Sequence, residues 1–169
     1  MELNFAPRGI LQINDARITW KNFSGTGNPY NREGDRNFAV VIPDQEVCDA
    51  LLNDKNKFGD AWNVKIKDGR EEGDAPRMCL PVKVKFNERG PIIYLISGNS
   101  RTRLTEETVH RLDKIDIASV NLDIRPYDDI MKSGKHFRAA YLSAMEVYQD
   151  IDRFTARYAE DEEDEYMNE

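Results

Sequence analysis

Short runs in which apolar and polar residues alternate make up most of this chain. Residues 10–20 carry Ile10, Leu11, Ile13, Ile18 and Trp20 and predict one long first strand. Residues 21–35 (KNFSGTGNPYNREGD), dense in glycine and asparagine, predict a long loop, and 36–42 (RNFAVVI) a second strand. Pro43 ends that strand. Asp44 then caps a helix over 44–54 with Val47, Ala50 and Leu51 on one face. Residues 62–67 set Trp62, Val64 and Ile66 against Asn63, Lys65 and Lys67, and 68–77 predict a polar loop. In 80–86, Val82, Val84 and Phe86 alternate with Lys83 and Lys85. After a turn at Asn87–Pro91, the unbroken apolar run 92–96 predicts a central strand buried on both faces. Thr105 caps a second helix, with Glu106 and Glu107 in its first turn and Val109 and Leu112 inward. A strand over 116–125 buries Ile117, Val120, Leu122 and Ile124. Residues 127–135 predict a loop, and 136–148 a closing strand. Ile151, Phe154 and Tyr158 are spaced for a last helical segment.

Strands at this spacing, with two or three short helices, predict a mainly β fold, an OB-fold-like small β-barrel. Helices that do not alternate with strands argue against a parallel α/β fold. The length, 169 residues, suits one domain, placed at 1–158. Charge separates the rest. Residues 160–169 hold seven of the 31 acids and no base, so residues 1–159 balance 24 acids against 24 bases and the net −7 sits in an acidic tail, 159–169. Such a block has almost nothing to bury and is expected to be disordered. It can also compete with phosphates for a basic groove.

Enzymatic chemistry finds little support. P-loop, GxSxG, HExxH and GxGxxG motifs are missing, and Gly25-Thr26-Gly27 lacks the following helix of a phosphate turn. His110 and His136 have no partner in sequence, and Cys48 and Cys79 fit small buried hydrophobes better than a metal site. Glu71, Glu72 and Asp74, like Asp128 and Asp129, suit turns. No catalytic residue, metal or cofactor is expected. The longest apolar run is too short to span a membrane, and Met1-Glu2-Leu3-Asn4 does not open a secretion signal, which points to the cytoplasm.

Binding has more support. Lys65/Lys67, Lys83/Lys85 and Arg101/Arg103 are i, i+2 pairs, which on a strand share a face. Each pair alone is the wet side of a sheet, but aromatic residues are interleaved with them. Stacking on exposed rings combined with a basic groove is how single-stranded nucleic acid is held. The stacking candidates are Trp20, Phe23 and Tyr30; the loop around Phe23 and Tyr30 predicts exposed rings, whereas Trp62 and Phe86 align with the core. The phosphate candidates are Lys21, Arg32, Arg36, Lys65, Lys83 and Lys85, followed by Arg101, Arg103, Lys132 and Lys135.

Five stretches then carry a family likeness. They are Arg17–Ile42, Trp62-Asn63-Val64-Lys65, Leu80-Pro81-Val82-Lys83-Val84, Ile124-Arg125-Pro126-Tyr127 and the acidic ending. They resemble the single-stranded-DNA-binding proteins of tailed bacteriophages and prophages, over about the whole chain. The resemblance implies an OB fold that coats single strands in phage DNA replication and recombination, in the host cytoplasm. It also implies an acidic C-terminus that competes for the DNA site and recruits replication or recombination proteins, here Glu160, Asp161, Glu162, Glu163, Asp164, Glu165 and Tyr166. Members commonly end in an aromatic or apolar residue; this chain departs, with Tyr166 and Met167 ahead of Asn168 and Glu169. Other classes stay open. One is a protein-interaction module or DNA-mimicking inhibitor that binds no DNA. Another is a metal-dependent nuclease using Asp123, Asp128 and Asp129. Edge strands of an open barrel also leave a homodimer open.

Overall fold

The computed structural model describes residues 1–151, so the predicted segment around Phe154 and Tyr158 and the acidic tail lie outside the described residues. The strands are β1 (Glu2–Phe5), β2 (Leu11–Ala16), β3 (Ile18–Asn22), β4 (Arg36–Ile42), β5 (Lys65–Lys67), β6 (Arg77–Val84), β7 (Ile92–Ser97), β8 (Ser100–Leu104), β9 (Ile117–Ile130) and β10 (His136–Gln149). One α-helix, α1 (Gln45–Asn53), follows β4, and short 3₁₀ turns occupy Pro7–Gly9 and Val109–Lys114.

The sheet runs β1–β2–β9–β10–β6–β4–β3, with β7 and then β8 joined to β10 and β5 to β6. Strands β2 and β3, at opposite sides of that order, are separated in sequence only by Arg17, so the chain itself brings the sheet round into a ring. Counted as one bent strand, β2–β3 makes a five-membered barrel of OB type. The strand predicted as continuous over 10–20 is therefore two pieces with different partners, β9 for the first and β4 for the second. Asp15 takes the bend, with φ 53° and its N–H on the Asn121 side chain at 2.9 Å. Leu11, Ile13, Val40, Leu80, Val82, Val120, Ile124 and Val147 fill the interior. Asp44 caps α1 by accepting from the Val47 N–H at 2.9 Å, and Cys48 and Leu51 face inward.

Four further expectations are corrected. Strand β5 covers only Lys65–Lys67; Ile66 lies opposite Met78, two residues from the core residue Leu80, and is 54% exposed. Strand β7 does lie between two partners, parallel to β10 and antiparallel to β8, but it buries only one face: Ile93 and Leu95 are inside while Ile92 is exposed. Thr105 begins a turn instead of capping a helix, its N–H bonded to Thr108 Oγ1 at 2.8 Å, although Val109 and Leu112 are buried as predicted. The predicted loop 127–135 is strand over its first four residues. Strand β9 continues through Pro126 to Ile130, and only the turn from Met131 to Lys135 is irregular. Proline is tolerated there because β2 stops pairing with β9 at Ile124, which leaves a free edge.

Residues 126–130 and 136–140 thus pair with each other as an arm beyond the barrel. At its root lies the weakest seam. Strands β6 and β10 are parallel and meet at one pair, Tyr141 with Lys83, while β5 takes the next stretch of the β6 edge. Trp62, only 1% exposed, comes from the connector between α1 and β5. Its Nε1 donates to Asp54 at 2.8 Å, and the Arg138 guanidinium lies 5.1 Å from its ring centre. Arg138 also grips Asp128 through Nε at 2.8 Å and Nη2 at 3.2 Å.

The Arg138 hydrogen bonds hold the Asp128 carboxyl below its ordinary range. A carboxyl depressed on folding stabilises above its unfolded pKa and loses that contribution as pH falls through the folded value. Asp128→Asn is expected to lower the unfolding free energy by about 2 kcal/mol at pH 7. Urea denaturation checks this, and the gap to the parent protein should shrink towards pH 3.

Candidate nucleic-acid interface

Alternation along β4 and β6 turns one set of side chains into the barrel and the other onto its outer face. Two rows cross that outer face. Val41, Cys79 and Lys65 lie side by side on β4, β6 and β5. Asn37, Lys83, Tyr141 and Arg125 do the same on β4, β6, β10 and β9. The rows are four β6 residues apart, about 13 Å.

The first row floors a groove of about 420 Å³ with Trp20 on its rim. Pairing of β3 with β4 slips between Thr19 and Asn22, and Trp20 takes φ 49°, a left-handed value that is uncommon for a bulky residue. The slip leaves the indole 60% exposed. Lys67 Nζ sits 4.9 Å from its ring centre. Lys65, Arg70 and Arg77 line the same groove above Val41, Ile42, Met78 and Cys79. Among the described residues, no carboxylate lies within ion-pair distance of these four cations. Burial pushes the Cys79 thiol pKa up, against an opposing pull from Lys67 and Lys65.

The second row alternates cations and rings. Tyr141 lies between Lys83, 5.9 Å from its ring centre, and Arg125, at 5.2 Å. Tyr127 meets Tyr141 edge-on at 5.8 Å and Phe137 at 6.4 Å. The Tyr127 hydroxyl donates to Asp129 at 2.9 Å, which raises the phenol pKa. Unpaired cations around exposed rings can neutralise phosphates and stack bases.

Residues 3–167 match the family model described as a putative phage ssDNA-binding domain. The chain belongs to this family. Three solved structures of the single-stranded DNA-binding protein from bacteriophage Enc34 are similar to it, each at 16% identity. A C-terminal truncation has a TM-score of 0.53, with 89% of this chain and 91% of that chain covered. A second structure of that protein gives 0.52, covering 90% and 92%. Its complex with ssDNA gives 0.50, covering 89% and 92%. At this identity the likeness is one of fold. No curated protein matches. Among the described residues, no helix is long and apolar enough to cross a membrane.

Of the site residues predicted for this family member, Trp20 and Lys65 meet in the groove and Lys83 lies in the second row, with Lys85 exposed just past β6. Tyr30, 98% exposed, and Arg32 sit on the loop between β3 and β4. That loop is braced by Gly34 N–H to Gly25 O at 2.7 Å and by the Asn31 amide to Asp35 O at 2.7 Å. Phe23 is a correction. It is fully buried and stacked on Phe38 at 5.3 Å, because Asp113 takes its backbone N–H and that of Ser24 and draws the loop's base inward. Lys21 is tied to the Ile115 carbonyl, and Arg36 to Phe23 O at 3.0 Å and Glu106 at 3.5 Å. Arg101 and Arg103 lie apart on β8. Arg101 is paired with Glu146 at 2.8 Å and lies 4.1 Å from the Tyr94 ring centre. Lys132 and Lys135 occupy the arm's turn. Asp128 and Asp129 belong to β9, not to a loop, and are engaged by Arg138 and Tyr127.

Arg70, Arg77, Arg125, Tyr127 and Tyr141 were missed as site residues, and Lys67 was noticed only as the partner of Lys65. Tyr141 stands between the buried residues Ala140 and Leu142, a period-2 signal already in the sequence. The two burial states give a direct contrast. Phe23→Ala is expected to cost about 3–5 kcal/mol of stability through lost core packing. Tyr30→Ala should stay within about 0.5 kcal/mol; urea or thermal unfolding of both variants checks this.

Proposed function

We propose that this protein binds single-stranded DNA, with little sequence preference and no catalysis, along the outer face from the Trp20 groove to the Tyr141 row. One observation carries the proposal: a 60% exposed indole among four cations that no described carboxylate neutralises. Stacking on an exposed ring contributes about 1–3 kcal/mol per base and tolerates any base. Lys65, Lys67, Arg70, Arg77, Lys83 and Arg125 supply phosphate contacts, which position a strand but do not read it. Membership of the phage family and the similar complex with ssDNA support this reading.

In this account the protein protects single strands during phage DNA replication and recombination in the host cytoplasm. Residues 1–158 form the binding domain. The acids of 160–169 compete with DNA for the groove and recruit replication or recombination proteins when displaced. Extended, ten residues reach up to roughly 35 Å, enough to cross a small barrel.

Titration of fluorescent oligo-dT at two salt concentrations tests the proposal. Trp20→Ala should weaken binding by about 5- to 150-fold with little change in salt slope. Lys65→Ala should weaken all sequences alike and reduce the slope by about 1. Truncation after Ala159 should tighten binding; unchanged affinity would remove the competition. No binding by either the intact or the truncated chain would favour a protein-interaction module instead.

A further inference from the structure

The arm carries a second surface, on the face opposite Tyr127 and Phe137. Ile130 and His136 face each other across it. The Phe58 ring stacks on the His136 imidazole at 4.7 Å, and Lys57 Nζ lies 5.1 Å from the Phe58 ring centre. Phe58, Ile130 and Met131 are 53%, 52% and 51% exposed. Lys132 and Lys135 are exposed in the turn beyond them. Among the described residues, none of these three lysines is ion-paired. The tip is thus an apolar cluster beside three unpaired cations, a surface that suits a segment mixing carboxylates with a few apolar side chains.

Residues 160–169 of this chain have that chemistry, with seven acids, Tyr166 and Met167, and no base. Geometry decides whose copy supplies them. Strand β10 starts at the tip with His136 and ends at Gln149. The chain therefore leaves the barrel at the far end of β10, at most about 43 Å from the patch along the strand. Tyr166 is 17 residues past Gln149, at most about 60 Å when fully extended. A copy's own tail would have to double back along the molecule over most of its extended reach, a costly ordering that a neighbour's tail avoids.

We propose that the arm tip, built from Phe58, Ile130, Met131 and the lysines Lys57, Lys132 and Lys135, is the docking site for segment 160–169 of a second copy. Such a contact joins unlike surfaces, so wherever it does not close into a ring it builds open rows of molecules. Along a single strand those rows make binding cooperative. The docking does not rest on the proposed function. Only its strengthening by DNA does, because a strand in the groove frees the tail.

Sedimentation of full-length variants tests the contact. One variant carries Lys132→Glu and Lys135→Glu. The other carries Asp161→Asn, Glu162→Gln, Glu163→Gln and Asp164→Asn. The parent protein should grow in mass with concentration at low salt, and lose that growth as salt screens the contact. Each variant alone should stay monomeric. Their equimolar mixture should form dimers and nothing larger, since it holds one intact tip and one intact tail. Phe58→Ala should raise the dissociation constant at least 10-fold without changing the circular dichroism spectrum. A monomeric parent, alone and with saturating short oligo-dT, would overturn the inference, as would self-association that survives both variants. Oligo-dT that fails to bind would overturn the groove reading instead. Lysine variants that weaken oligo-dT binding while self-association persists would make the tip a DNA contact and overturn the docking.

Discussion

The stack of Arg138 on Trp62 stands where the barrel is least able to hold itself. Every other junction in the ring is antiparallel and runs over several residues, but β6 and β10 are parallel and share one pair. Beyond that pair the edge of β10 passes to β7 and the edge of β6 to β5, so the two strands diverge. The connector after α1 closes the gap with a buried indole, and Arg138 ties that indole to Asp128 on β9. Arg138 is itself almost buried, so its charge depends on Asp128; removing one partner of such a pair leaves the other uncompensated.

Two surfaces follow from that closure. The arm leaves the barrel at the seam, and its two faces see different neighbours. One face continues the outer sheet and carries Tyr127 and Phe137 towards Tyr141 and Lys83. The other rests on the connector and ends in Phe58 against His136. A single structural element thereby separates a surface suited to a polyanion from one suited to an acidic peptide.

Local pattern carried much of the fold. Strand β4, the cap at Asp44, the inward face of β6 and the start of β10 were all legible, because alternation and capping act within a few residues. What failed depended on distant partners. Phe23 sits in a polar loop and reads as exposed, yet an aspartate ninety residues later holds its backbone and turns the ring inward. Strand β8 offers only the Arg101/Arg103 spacing and one inward residue, Leu104, so its pairing with β7 is not legible in the sequence. Pro126 and two aspartates suggested a loop where a free strand edge tolerates them all. At the site, Trp20 and Lys65 were legible as residue types, but the groove that joins them requires the pairing of β5 with β6 and the backbone turn at Trp20.

The chain's two tryptophans sit in opposite environments, Trp20 on the groove rim and Trp62 sealed in the seam. Iodide quenching of their fluorescence, with and without saturating oligo-dT, therefore reads the proposed path directly. If a strand crosses the Trp20 groove, the quenchable signal of the free protein disappears when DNA is bound. Quenching that is unchanged on the DNA-bound protein would contradict the account, because the strand would then lie elsewhere.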